Sequence, residues 1–245
     1  MRAFTTAVYY DVFAGAAGRL AREGPLLTEL LRRAPGERVL DLACGTGLHA
    51  GYLAELGAQV TALDVSADMV AYAREHRSHP AVDYVVGDMR EFRGGPWDLV
   101  VCLGNSLCLV NSFEELQSTL HRVALSLAPD GLFLLQILNY ASGKAREPRQ
   151  RVETRTVGDK EVIAVKDLVP HANRTLLSMT FHVLSAEGHE AICETAVLLN
   201  VTRAQLTAAA EKAGLVVEAV CGGFDGCEYR PDSSPDLVVA LQKPE

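Results

Sequence analysis

Arg38-Val39-Leu40-Asp41-Leu42-Ala43-Cys44-Gly45-Thr46-Gly47 is the stretch on which the rest of the chain turns. Val39 to Leu42 is an apolar run of strand length, and it stops at a turn of small residues carrying two glycines. From Leu48 to Leu56 apolar residues recur at helical spacing. Strand, glycine turn and helix together bring a backbone close to a nucleotide-like ligand. Gly45 and Gly47 can take positive φ and carry no Cβ to collide with it. The following helix offers free N–H groups and a positive dipole end to a negative group. A tight turn of this kind also occurs with no ligand. Two acids downstream, Asp64 and Asp88, tilt the reading toward a binding site.

Asp64 closes a second strand, residues 58–64, and Ser66 caps the helix that passes Met69 and Tyr72. A third strand, 82–86, runs into Gly87-Asp88-Met89. A fourth, 99–103, opens onto Gly104-Asn105-Ser106. A helix is predicted over 113–128, and Asp130-Gly131 turns into a fifth strand, 132–138. Strict alternation of strand and helix implies parallel strands, right-handed crossovers and helices on both faces.

Upstream, residues 1–24 read as an amphipathic lead-in with Tyr9-Tyr10-Asp11-Val12-Phe13, a Gly/Ala-rich bend and Arg19. A helix with proline in its first turn is predicted over 25–33. Downstream of Asn139-Tyr140 the rhythm changes. Segments 152–157, 161–168, 176–184 and 191–199 are β-branched or alternating, with turn residues between them. They read as an antiparallel meander inserted into the α/β unit. The α/β pattern resumes with a helix at 203–213 and strands at 215–220 and 237–241. The loop between those two strands is too short for a crossover helix, so one of them runs antiparallel to the rest. The division is therefore 1–143 with 200–245 as the cofactor-binding unit, and 144–199 as a β lid that binds the acceptor.

Composition narrows the partner. A net charge of −8 opposes a phosphate backbone, which wants a basic face. The partner expected is a small molecule. Six cysteines show no C-x-x-C pair and no zinc spacing, so no metal is expected. Reduced thiols, the lack of a signal-peptide core after Met1-Arg2-Ala3-Phe4 and the absence of a spanning apolar run indicate a cytoplasmic protein without a membrane partner. Cys44, Cys102, Cys108 and Cys193 lie in apolar runs, where free cysteine behaves as a small hydrophobe. His49, beside the glycine turn, is expected to be structural. His121, His171, His182 and His189 have no assignable partner. Lys144, Arg146, Arg149, Arg151 and Arg155 form a basic run, read first as a solvated loop and second as an anion site for the acceptor.

In an open α/β sheet, ligands sit beyond the carboxyl ends of the strands. Asp41, Asp64 and Asp88 fall at three successive strand ends, and an acceptor-only carboxylate at Asp64 suits a ribose diol. Two cofactors compete. Gly45-Thr46-Gly47-Leu48-His49-Ala50 satisfies the dinucleotide fingerprint, so a nicotinamide-dependent oxidoreductase is one reading. Asp41 opposes it by repelling a pyrophosphate, as does Asp88, placed for an adenine amino group. No lysine–tyrosine pair stands where a short-chain dehydrogenase needs its acid.

Leu40-Asp41-Leu42-Ala43-Cys44-Gly45-Thr46-Gly47, Asp64 and Gly87-Asp88-Met89 resemble the motifs of class I S-adenosylmethionine-dependent methyltransferases over about residues 36–140 and 200–243. Val101-Cys102-Leu103-Gly104-Asn105-Ser106-Leu107 and Asn139-Tyr140 are similar to segments of the glycine and sarcosine N-methyltransferases and the sugar N,N-dimethyltransferases. The resemblance implies a Rossmann-like sheet of seven strands with a β lid, and S-adenosyl-L-methionine as cofactor. It implies that Ala43, Gly45, Gly47 and Leu103 hold the amino acid end of the cofactor, with Asp41 beside them. Asp64 and Val65 would hold the ribose, and Asp88 and Met89 the adenine. Arg19 would face the cofactor carboxylate, and Tyr10 would lay an aromatic face near the sulfonium. Asn105, Tyr140 and Tyr10 would line the reacting centre. The acceptor implied is a small-molecule amine, with oligomeric state left open. A sensor that keeps the cofactor fold without turnover is the non-enzymatic alternative.

Overall fold

The computed structural model describes residues 7–244; the opening of the lead-in, including Met1-Arg2-Ala3-Phe4, lies outside the described residues. Two helices, α1 (Ala7–Ala14) and α2 (Ala16–Arg33), precede the first strand. There follow β1 (Arg38–Leu42), α3 (Leu48–Glu55), β2 (Gln59–Asp64), α4 (Ala67–His76), β3 (Val82–Val86), β4 (Trp97–Cys102), α5 (Phe113–Ser126) and β5 (Leu127–Leu138). Four long strands come next: β6 (Arg149–Val157), β7 (Lys160–His171), β8 (Arg174–Ser185) and β9 (Gly188–Leu199). The chain closes with α6 (Arg203–Lys212), β10 (Val216–Cys221) and β11 (Asp236–Gln242).

The main sheet has seven strands in the order β10-β11-β5-β4-β1-β2-β3. β1 pairs in parallel with both β2 and β4, and β11 is antiparallel to both β5 and β10. β11 is thus the reversed strand that the short final connection demands. Successive residues of the strands feed opposite faces. Leu40, Leu42, Val100, Cys102, Phe133 and Leu135 pack on the side of α5 and α6, while Val39, Leu99, Val101, Leu132 and Leu134 pack on the side of α2 and α3. Both faces are buried, so these strands read as continuous apolar runs. From β1 the chain steps outward through β2 and β3, then jumps to β4 on the other side of β1. That places the topological switch point, where ligands bind, between the carboxyl ends of β1 and β4.

β6 to β9 form a separate four-stranded antiparallel sheet between β5 and α6. One of its faces is anchored. Val162, Ala164, Phe181 and Val183 pack under Tyr9 and Phe13 of α1, while Leu168 and Leu177 pack against the main core.

Three elements depart from the sequence reading. The predicted helix at 25–33 is the second half of α2, which begins at Ala16 after Gly15 in the left-handed region, with Pro25 inside it. An interior proline costs about 3 kcal/mol. Burial on both sides of it, Glu23 before and Leu27 and Leu30 after, holds the helix through. The basic run is not one loop. Lys144 and Arg146 lie in a single 3-10 turn, whereas Arg149, Arg151 and Arg155 lie on β6. Finally, Cys193 is exposed, on a sheet with one solvated face. No described helix is long and apolar enough to cross a membrane.

Candidate active site

The glycine turn after β1 is held by two hydrogen bonds to the end of β2. The Cys44 amide donates to the Leu63 carbonyl (3.0 Å), and the Gly45 amide donates to Asp64 Oδ2 (2.8 Å). Ala43, Gly45 and Gly47 all have positive φ, and a Cβ added at Gly45 would meet nothing within 4 Å. At Gly47 it would stand 2.7 Å from the Tyr84 hydroxyl oxygen. Gly47 is therefore glycine because of both its φ and its packing, and Gly45 because of its φ, with open space on its Cβ side.

Asp41 lies beneath this turn and is 1% exposed. Its Oδ2 has no hydrogen-bond partner among the described residues. Burial pushes the carboxyl up to about 6, with Asp64 adding to the rise while His49 and Arg19 oppose it. A buried carboxylate with an open oxygen, next to a turn that presents backbone to open space, suits a ligand carrying an ammonium group. Asp64, at the end of β2, accepts from the Gly45 amide and from the Ser66 amide (2.9 Å). Burial raises its pKa, and the Ser66, Gly45 and Val65 amides pull it back. The carboxylate keeps acceptor capacity beyond these amides for a diol. These features fit S-adenosylmethionine.

Asp88, past β3, is tied to its neighbour. Arg90 forms a bidentate pair with it (2.6 and 3.0 Å) and also reaches Glu115 (3.1 Å). Hydrogen bonds from the Arg90 side chain lower the Asp88 pKa. Met89 beside it is buried.

Across the switch point, β4 ends in Leu103-Gly104-Asn105. The Gly104 and Asn105 amides both donate to Gln136 Oε1 (2.9 and 3.1 Å), and Gln136 donates on to Asp236 (2.7 Å). Asn105 sits at φ 67. Its Oδ1 accepts from the Leu138 amide (2.9 Å) and its Nδ2 donates to the Tyr140 hydroxyl (2.9 Å). Asn105 and Tyr140, thirty-five residues apart, are thus joined into one unit that clamps the ends of β4 and β5. Burial pushes the Tyr140 phenol well above its usual range, with Cys108 adding to the rise. Asn139, by contrast, is consumed by structure: it accepts from Tyr229 and donates to the Pro231 and Ser234 carbonyls. The Arg19 guanidinium lies 3.7 Å from where a Gly104 side chain would begin, at the rim between α2 and β4. Tyr10 is half-buried on α1. Its neighbour Tyr9 and Phe13, four residues apart, face Phe181 of the inserted sheet, so Tyr10 occupies a different side of the helix.

Two networks at this site have no sequence signal. Asp11 accepts from the Thr46 hydroxyl (2.7 Å), from Tyr72 (3.2 Å) and from Arg77 (2.7 Å), and Arg77 also donates to the Thr46 carbonyl. This fastens α1 onto the glycine turn and α4. Glu23, 2% exposed, meets His49 Nε2 at 2.7 Å and pairs with Arg19 and Arg22. Burial pushes Glu23 up, but His49, Arg19 and Arg22 outweigh it and hold the carboxyl at about 2. His49 is a strut, as expected for a residue beside the turn.

The fold and these strand-end groups make the β1/β4 crevice of this α/β protein its candidate cofactor site. Residues 39–131 match the family model described as a methyltransferase domain. The chain is 32% identical over 205 residues to the cypemycin N-terminal methyltransferase of a Streptomyces species, covering 83% of this chain and 82% of that one. It is 28% identical over 229 residues to the dTDP-4-amino-2,3,4,6-tetradeoxy-D-glucose N,N-dimethyltransferase of Saccharopolyspora spinosa, covering 89% and 88%. The structure of the CcbJ methyltransferase from Streptomyces caelestis aligns with a TM-score of 0.78 at 26% identity, over 98% of this chain and 96% of that one. The chain belongs to the S-adenosylmethionine-dependent methyltransferases. It is an enzyme of that class with S-adenosylmethionine as cofactor, and the nicotinamide reading gives way.

Proposed function

We propose that the enzyme methylates an amine nitrogen on a small polar molecule, by direct displacement. The bound cofactor supplies a methyl group already activated as a sulfonium, so the protein's work is to align the acceptor and exclude water. In this reading Ala43, Gly45, Gly47 and Leu103 hold the amino acid end, its ammonium shared with Asp41 and its carboxylate near Arg19. Asp64 and Val65 hold the ribose, and Met89 with Asp88 the adenine. Tyr10 lays its ring near the sulfonium, a cation–π contact of about 0.5–2 kcal/mol.

The observation that carries the amine reading is the Asn105–Tyr140 unit. Both side chains are neutral hydrogen-bonding groups, and the buried phenol keeps its proton. Neither is a base able to deprotonate a hydroxyl acceptor, whereas a neutral amine already has the lone pair that attack requires. Support comes from relatives named as a cypemycin N-terminal methyltransferase, an amino-sugar N,N-dimethyltransferase and a glycine/sarcosine N-methyltransferase.

An acceptor screen with methyl-labelled cofactor tests this. Label should pass to primary or secondary amines, and the rate at limiting acceptor should rise with pH as the acceptor's own ammonium loses its proton. Asn105→Ala should lower turnover about tenfold or more while most affinity for S-adenosylhomocysteine remains. Transfer confined to phenols, catechols or carboxylates would overturn the amine reading.

A further inference from the structure

The anchored face of the inserted sheet carries a row of cations with no structural use assigned so far. Cross-strand partners in register share a face. Arg151 stands opposite Lys166, which stands opposite Met179; Arg149 stands opposite Leu168, and Ala164 opposite Phe181. Phe181 packs on α1 and Leu168 on the main core. The row Arg151-Lys166-Met179 therefore lies on that same anchored face, with Arg151 exposed at its rim.

Three observations make this row more than a solvated charged face. First, Lys166 is solvent-exposed, yet its surroundings are close enough that burial lowers its pKa. Second, the charged groups acting on it among the described residues are all cations. Burial lowers its pKa, and Arg151, Arg19 and Arg149 lower it further. Third, the Arg149 Nε is buried with no hydrogen-bond partner among the described residues, and Arg149 acts electrostatically on Tyr140. Two acids share this face. Glu153 is divided between Arg151 (2.5 Å) and Arg155 (2.9 Å), and Glu194 lies beyond Met179 on β9. Like charges gathered in a cleft repel one another until an anion joins them.

We propose that Arg149 and Lys166, with Arg151 at the rim, form a subsite for an anionic group, carboxylate or phosphoryl, on the methyl acceptor. This rests on the methyltransferase reading of the same cleft and adds the acceptor's second feature. The amine meets the Asn105–Tyr140 unit while the anion is held on the inserted sheet, and Arg19 is left to the cofactor. Arginine suits either anion through its planar fork, and lysine adds a point charge. The residues are specificity determinants and take no part in the methyl transfer itself.

Calorimetry on the full chain saturated with S-adenosylhomocysteine tests the subsite, with sodium acetate and sodium pyrophosphate as probes at low ionic strength. At least one probe should bind saturably, and which one does tells carboxylate from phosphoryl. Lys166→Met and Arg149→Met should each weaken it about tenfold, Lys166→Arg should restore it, and S-adenosylhomocysteine affinity should stay within about twofold in all three. Retained S-adenosylhomocysteine binding certifies that each variant is folded. Binding of neither anion by the parent, or equal binding by parent and both methionine variants, overturns the proposal. If the anion binds as expected but no amine is methylated in the acceptor screen, the subsite stands and the amine reading falls.

Discussion

Asp41 and Glu23 are both buried carboxyls, yet they act in opposite directions on stability. Glu23 is held at about 2, below its ordinary 4.5, because His49, Arg19 and Arg22 surround it. Its contribution is present above pH 4.5 and lost as pH falls toward 2. Asp41 is raised from 3.8 to about 6 by burial. The folded chain then binds more protons than the unfolded chain within that window, so stability falls as pH rises through it. Above pH 6 the penalty is constant, on the order of 2–3 kcal/mol. A destabilising charge with an open oxygen beside the glycine turn is what a cofactor ammonium would relieve. Asp41→Asn should therefore raise the stability of the ligand-free enzyme at pH 7.5 by about 2 kcal/mol and weaken S-adenosylhomocysteine about tenfold. Denaturant titration and calorimetry on one preparation check both halves. An asparagine variant that binds the ligand as the parent does would remove Asp41 from the site.

At the scale of elements, α1 is a wedge between two structures. Tyr9 and Phe13 fix one side to the inserted sheet, and Asp11 fixes another to Thr46, Tyr72 and Arg77. The Asp11–Arg77 pair is largely buried, with Arg77 Nη2 reaching both carboxylate oxygens (2.7 and 3.0 Å), and an ion pair so shielded is worth more than one at the open surface. Asp11→Ala should loosen α1 from the glycine turn. Amide hydrogen exchange should quicken in residues 7–14, and S-adenosylhomocysteine affinity should fall about fivefold to tenfold, with the main sheet's protection unchanged. Exchange in α1 that matches the parent would mean the apolar contacts with Phe181 suffice. This latch could not be read from the sequence, since its partners lie 35 to 66 residues away. The same holds for Glu23 with His49, and for the passage of α2 through Pro25, where tertiary burial overrode a local breaker. What could be read was local: β1 with its glycine turn, the acid closing β2, Ser66 capping α4 through the Met69 amide, and the alternation of the inserted strands.

For the whole molecule, the reversed β11 and the β1/β4 crevice followed from connection length and strand order, which a sequence displays. Side-chain commitment did not. Asn105 stood at the correct strand end, but its bond to Tyr140 depends on the β4–β5 pairing and on positive φ, neither of which its neighbours announce. The basic run likewise acquired meaning only when the register of β6 and β7 put part of it on the anchored face of the inserted sheet. Charge balance at this scale gives a last prediction. Glu23 is fully stabilising above pH 4.5, while the penalty at Asp41 grows as pH rises toward about 6, and Asp64 and Asp236, also raised by burial, add penalties of the same sign. The chain also moves away from its pI of 5.4 toward a net charge of −8 at pH 7, which adds self-repulsion. The ligand-free enzyme should thus be most stable near pH 4.5–5 and lose stability toward neutrality. An ammonium placed against Asp41 lowers that carboxyl's folded pKa and removes much of the decline. The rise in Tm produced by saturating S-adenosylhomocysteine should then be larger at pH 7.5 than at pH 4.5, by about 3–6 °C for a chain of this size. Thermal scans at four pH values between these limits, with and without ligand, measure the difference. A ligand-induced rise that is the same at every pH would show that the ligand leaves the Asp41 charge untouched.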